Sequence, residues 1–144
     1  MAKKKQGRPR VEYLIRSIEV RSVNTHMSLR PETDHGPETK VVGQCWMQIS
    51  GTFDEPVKGQ SKVVISVHED ERGFVGPGHP ASVGCLVQRS PELRVLVHLP
   101  PALFERAWML AAGGRLTHAW MSLTKLHHND GWVPSVAFAN QPIE

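Results

Sequence analysis

Short segments of alternating apolar and polar residues, bounded by glycine and proline clusters, constrain the fold of this chain more than any other feature. SKVVISVHE (61–69) places Val63 and Val67 on one face of an extended strand and His68 on the other. Similar patterns occur at 11–22, 40–53, 81–89, 92–99, 115–125 and 132–140. About seven short strands of this kind are typical of a β-sandwich or barrel, and we expect an all-β fold, an antiparallel β-sandwich.

A single helix is expected between the strands 92–99 and 115–125. Pro100 and Pro101 precede the segment ALFERAWMLAA, and Gly113 and Gly114 follow it. Proline suits a first helical turn and glycine suits a C-terminal cap. Apolar residues in this segment recur three and four positions apart, as on one face of a helix. We predict a short helix near 102–112 that crosses between the two sheets or plugs one open end.

The length and composition of the chain fit one globular domain. It has 144 residues, of which 40% are hydrophobic, enough to bury a core. No run of about 18 apolar residues is present, and no signal-type segment follows the basic N-terminus, so we expect a cytoplasmic protein without membrane contact. Cys45 and Cys85 lack zinc or redox spacing and are expected as reduced thiols. We expect a disordered arm at 1–10 and one domain at 11–144.

The charge of the chain is concentrated at its N-terminus. The net charge is +3, but the first ten residues hold five basic side chains and no acid. These are Lys3, Lys4, Lys5, Arg8 and Arg10. The rest of the chain holds 12 basic and 14 acidic residues, a net charge of −2. Composition therefore predicts a basic arm on a nearly neutral body.

Gly7-Arg8-Pro9-Arg10, with the three lysines before it, resembles an AT-hook, whose core is Arg-Gly-Arg-Pro. The resemblance covers residues 3–10 and implies an extended arm whose arginines enter the minor groove of A·T-rich DNA. Gln6 stands where the motif has its first arginine. An arm with five cations also neutralises phosphates without sequence preference. We predict contact with nucleic acid or another polyanion through this arm; a solubilising tail is the alternative.

Two tryptophans lie on polar strand faces. Trp46 shares its face with Gln44 and Gln48, and Trp120 shares its face with hydroxyl and imidazole side chains. An aromatic ring flanked by amides and hydroxyls suits contact with a partner or stacking on a sugar. These four residues are therefore candidates for a partner-binding surface. The alternative is that the helix covers one of these faces, which would make its tryptophan part of the core.

The chain contains eight histidines, and no metal site or cofactor is expected from their spacing. His68, His98 and His118 each lie on the polar side of a strand, and their rings would converge on a metal only if those strands are neighbours. The turn HHNDG (127–131) and the acidic loop 69–80 favour solvated connections. No nucleophile elbow, P-loop or distinctive carboxylate pair is present, so we expect no enzymatic activity.

These patterns favour a non-enzymatic interaction or assembly module. Strand edges and the tryptophan-bearing faces would contact a protein partner or a second copy of the chain, and the basic arm would attach nucleic acid or another polyanion. One alternative is a nucleic-acid-binding protein whose body also contacts the strand. Another is a small metal-dependent enzyme that uses the surface histidines.

Overall fold

A computed structural model of the chain describes residues 13–32, 40–69, 82–124 and 131–142. The basic arm, most of the acidic loop 69–80 and most of the HHNDG turn lie outside these ranges. The elements are β1 (Tyr13–Glu32), β2 (Lys40–Val57), β3 (Gln60–Glu69), β4 (Gly84–Gln88), β5 (Leu93–Leu99), α1 (Pro101–Ala112), β6 (His118–Thr124), β7 (Trp132–Val133) and β8 (Ser135–Ala139). The predicted all-β fold with one short helix is confirmed. No helix in these ranges is long and apolar enough to cross a membrane.

All eight strands belong to one mixed sheet, whereas we expected two antiparallel layers. Their order is β7-β4-β5-β3-β2-β1-β6-β8. Neighbouring strands are antiparallel except β3 and β5, which run parallel from the pair Val63 and Leu93 to the pair Glu69 and Leu99. The parallel pair arises because the chain between β3 and β5 adds β4 on the far side of β5.

The sheet is nearly closed, because its first and last strands are consecutive in the chain. β7 pairs with β4 through Gly84 and Val133, and β8 pairs with β6 through Ser122 and Ser135. Only Pro134 separates the two strands. Proline has no N–H to donate, which suits the position where the chain changes its strand partner. The segment Trp132–Ala139 therefore joins the two edges of the sheet.

The inner face of the sheet forms the hydrophobic core. Fully buried side chains on this face include Met47, Ile49, Ile65, Val67, Val95, Val97, Met121 and Leu123. Helix α1 adds Phe104 and Ala107 to the same cluster, so it packs on the inner side of the sheet. Burial of each large aliphatic side chain contributes about 1.5–3 kcal/mol. The inward positions predicted for Val63 and Val67 are confirmed.

Strand β1 is longer than the segment 11–22 that the sequence indicated. Its pairing with β2 shifts between Val20 and Ser22, which leaves Arg21 in a bulge. An extra residue reverses which alternate side chains face inward, so Ile18 points to the core before the bulge and Val23 points there after it. Because the bulge breaks the period-two alternation of the sequence, that alternation does not continue into the second half of the strand.

Candidate functional site on the outer face

Four aromatic rings form a row across four neighbouring strands, on the side of the sheet opposite the core. His26 of β1 is the partner of Trp46 of β2, Trp46 is the partner of His68 of β3, and His68 is the partner of His98 of β5. The ring centroids are 5.0 Å apart for His26 and Trp46, 6.1 Å for Trp46 and His68, and 6.0 Å for His68 and His98. We term these four residues the ring row.

Cross-strand pairing explains why the rings align. Residues directly opposite in neighbouring strands point to the same face, so each partner extends the row by one strand. The Trp46 and His68 rings are nearly parallel, at 11°. Met47, Val67 and Val97, which follow or precede these rings in the chain, are fully buried on the other face. Core packing therefore fixes the strand positions that carry the row.

Amide and hydroxyl side chains surround the ring row. The adjacent cross-strand set on one side of the ring row contains Asn24, Gln48 and Ser66. The adjacent set on its other side contains Ser28 and Gln44. These groups both donate and accept hydrogen bonds. The outer face therefore combines flat rings with polar groups that can donate and accept hydrogen bonds.

Among the described residues, the outward positions around the ring row carry no acidic side chain. These are Ser22, Asn24 and Ser28 of β1, Gln44, Gln48 and Ser50 of β2, Lys62, Val64 and Ser66 of β3, and Arg94 and Leu96 of β5. Farther along the same face, Glu19 is the cross-strand partner of Thr52 and lies 3.4 Å from Arg21, and Glu92 lies 2.6 Å from Arg94. Glu19 and Glu92 therefore lie away from the rings and are each paired with an arginine.

His68 differs from an ordinary surface histidine. Burial, and secondarily the charge of His98, lower the pKa of the His68 imidazole. His68 also lines an open cavity of about 240 Å³ with Gly43, Gln44, Cys45 and Glu69, at the end of β3. The neutral form of this ring is therefore favoured at neutral pH.

No protein-family model, curated protein or solved structure matches this chain. The geometry and chemistry of the outer face therefore provide the information on function. That face brings together three of the four partner-binding candidates, Gln44, Trp46 and Gln48, on one strand.

Trp120, the fourth candidate, lies elsewhere. It is on β6, where its partners are Ser17 of β1 and Ala137 of β8. Trp120 and Trp46 are both half-buried, and α1 packs on the inner side, so neither tryptophan belongs to the buried core. The five basic candidates of the arm, Lys3 to Arg10, lie outside the described residues.

The three strand histidines that the sequence singled out also lie in two separate parts of the sheet. His68 and His98 lie side by side on β3 and β5, whereas His118 lies on β6 and bonds to Thr117 at 2.9 Å. In the described part of the chain, no group of three or more histidine, cysteine or acidic side chains could hold a metal ion. Cys45 and Cys85 are free thiols on strands that are not neighbours. Burial raises the pKa of the Cys85 thiol.

Sequence reasoning did not single out His26. Its strand position becomes visible only once the bulge at Arg21 is known, because the bulge resets the alternation that follows. The one available signal was VNTHMSLR, in which polar Asn24, His26 and Ser28 alternate with Val23, Thr25 and Met27.

Proposed function

We propose that this chain is a non-enzymatic, cytoplasmic nucleic-acid-binding protein that holds a single strand across the ring row. The observation that carries the proposal is the alignment of four rings among outward positions that carry no acid. Single-stranded nucleic acid is bound by stacking unpaired bases on aromatic side chains of a sheet, and amides bond the exposed base edges. A duplex keeps its base faces stacked inside and does not offer them to such a row.

Charge segregation supports this proposal. The net charge of −2 on the body argues against contact with phosphate as long as the charge is spread evenly. Around the ring row, however, Lys62 and Arg94 are the charged side chains at the described outward positions, and Glu19 and Glu92 farther along the face are each paired with an arginine. The basic arm would add five further cations that anchor the phosphate backbone.

Fluorescence anisotropy with single-stranded DNA, single-stranded RNA and duplex DNA tests the proposal. We expect the full chain to prefer single strands. Substituting Trp46→Ala should cost about 1–3 kcal/mol of binding, the usual value of one stacked base. Trp120→Ala is the matched control, because Trp120 is also a half-buried strand tryptophan but lies on β6, away from the ring row. Equal losses for both variants would contradict a site on the outer face.

A variant that starts at Val11 separates the arm from the body. Five cations contribute a slope of roughly −3 to −4 to the dependence of log affinity on log salt for a single strand. We expect the shortened chain to lose that part of the slope and to keep the effect of Trp46→Ala. If the shortened chain loses all binding at low salt, the arm alone binds and the body has another role.

A second candidate function is an assembly module in which two copies of this chain associate, and exposed apolar side chains on β1 favour it. β6 pairs with β1 only from Tyr13 to Glu19, so the distal part of β1 runs with β2 as a two-stranded ribbon, Met27–Glu32 with Lys40–Cys45. Met27 and Leu29 on this ribbon are 71% and 75% exposed.

Light scattering tests this second function. Wild type should form dimers, and the double variant Met27→Ser/Leu29→Ser should be monomeric. Leu103→Ser, which changes an exposed apolar position on the helix, should leave the dimers intact.

A further inference from the structure

His68 and His98 are placed as two ligands of one ion. They are direct partners in the parallel pair of β3 and β5, and both point to the outer face. Their ring centroids are 6.0 Å apart with an interplanar angle of 32°. Because neighbouring strands lie about 4.8 Å apart, no backbone movement is needed to bring the two side chains to a shared ion.

The distance between the rings suits chelation. Imidazole nitrogens bind zinc at about 2.0–2.1 Å, so two ligating nitrogens on one ion lie about 3–4 Å apart. Rotation of the two side chains about their χ angles is needed to bring one nitrogen of each ring to that spacing.

Neighbouring groups restrict the site without adding a third ligand. The Trp46 ring stacks beside His68 on the side away from His98, and Ser66 and Leu96 occupy the next row. Glu69 follows His68, pairs with Leu99 and lines the same cavity as His68. Among described residues there is no set of three ligands, so water would fill the other positions and the ion would exchange.

We propose that His68 and His98 form an exchangeable binding site for a divalent first-row transition metal ion, with copper(II) bound most tightly. Imidazole ligands suit copper, nickel and zinc, and affinity among these ions is highest for copper(II). Calcium and magnesium require oxygen ligands and are not expected to bind. Metal binding at this site requires no nucleic acid, although His68 and His98 also belong to the ring row.

The test is titration of the full chain with copper(II) chloride at about pH 7.5, where unperturbed imidazoles are neutral. Calorimetry and electron paramagnetic resonance should detect a site with two nitrogen ligands. His68→Asn and His98→Asn should each weaken binding at that site by roughly tenfold or more. His118→Asn, a strand histidine on β6, should bind as wild type does. Equal affinity in wild type and in the His68→Asn/His98→Asn double variant would overturn the proposal.

A measurement on wild type covers the case in which a variant fails to fold. Substoichiometric copper(II) broadens the nuclear magnetic resonance signals of nearby protons. The ring signals of His68 and His98 should disappear together and before those of the other six histidines of the chain. Earlier broadening at any other histidine, or loss of only one of the two signals, would contradict a shared site. Added EDTA should restore both signals.

Discussion

At the residue scale, Trp46 occupies the centre of the proposed binding surface because it contacts a histidine on each side. His26 lies 5.0 Å away and His68 lies 6.1 Å away, measured between ring centroids. The two flanking rings restrict the rotamers of the indole and keep it beside the amide groups of β2. A side chain that is already ordered loses less entropy when a ligand binds.

His68 makes stability depend on pH. Its pKa is lowered in the folded chain by burial and then by His98, whereas an unfolded histidine titrates near pH 6.5. As pH falls below about 6.5, the unfolded chain takes up this proton more readily than the folded chain, so the stabilisation present above that pH is lost. We expect the free energy of unfolding to fall between about pH 7 and 5, and less steeply in His68→Asn.

Urea denaturation at a series of pH values, with a chelator present, measures this effect. His118→Asn serves as the control substitution, because His118 lies outside the ring row. If His68→Asn and wild type lose stability in parallel over this range, the titration of His68 does not contribute.

The outward positions of Trp46 and His68 followed from strand alternation in the sequence. Their alignment did not, because it depends on which strands are neighbours.

At the element scale, the strand segments and the helix followed closely from alternation, proline and glycine. The predicted helix near 102–112 is Pro101–Ala112, and the predicted strand 61–69 is Gln60–Glu69. The parallel pairing of β3 with β5 did not follow, because alternation specifies which side chains face inward and carries no information on neighbours or direction. The segment VNTHMSLR was considered as a continuation of the first strand after a bend, and β1 does continue through it beyond the bulge at Arg21.

Gly84 shows how closely the elements pack. It lies in β4 between Val97 of β5 and Val133 of β7, and a Cβ atom there would overlap the backbone carbonyl of Leu96. Because backbone cannot rotate away, we expect Gly84→Ala to destabilise the fold by about 1–3 kcal/mol. Urea denaturation gives the value.

Gly113→Ala is the matched control for this substitution. Gly113 follows α1 at φ −81°, and the nearest atom to an added Cβ is the Met109 carbonyl oxygen at 3.4 Å, an ordinary contact. We expect a change of about 0.5 kcal/mol or less. A Gly84→Ala variant as stable as Gly113→Ala would show that β4 moves freely relative to β5.

At the scale of the whole molecule, closure of the sheet links regions that are distant in sequence. Val83 N donates to Val133 O at 2.8 Å, and Trp132 N donates to Thr124 Oγ1 at 2.9 Å. One short segment therefore holds β4 and β6, which are five positions apart in the sheet order. Loosening that segment should affect both strands at once.

Val133→Ala tests this coupling. Val133 is 0% exposed, and truncation of a buried aliphatic side chain leaves a cavity that costs about 2 kcal/mol. In hydrogen exchange, amide protection should fall in β4 and β6 together. Val87→Ala, at a β4 position that is 62% exposed, should leave both strands unchanged. Faster exchange in β4 alone would indicate that the two edges open independently.

Closure by β7 and β8 also sets an order of events during synthesis. Every other strand precedes these two in the chain, so β4 and β6 leave the ribosome before the segment that covers them. Until Trp132–Ala139 emerges, the nascent sheet has two open edges that any extended chain nearby can pair with. Protection of those two edges until Trp132–Ala139 emerges would therefore limit mispairing of the unfinished sheet.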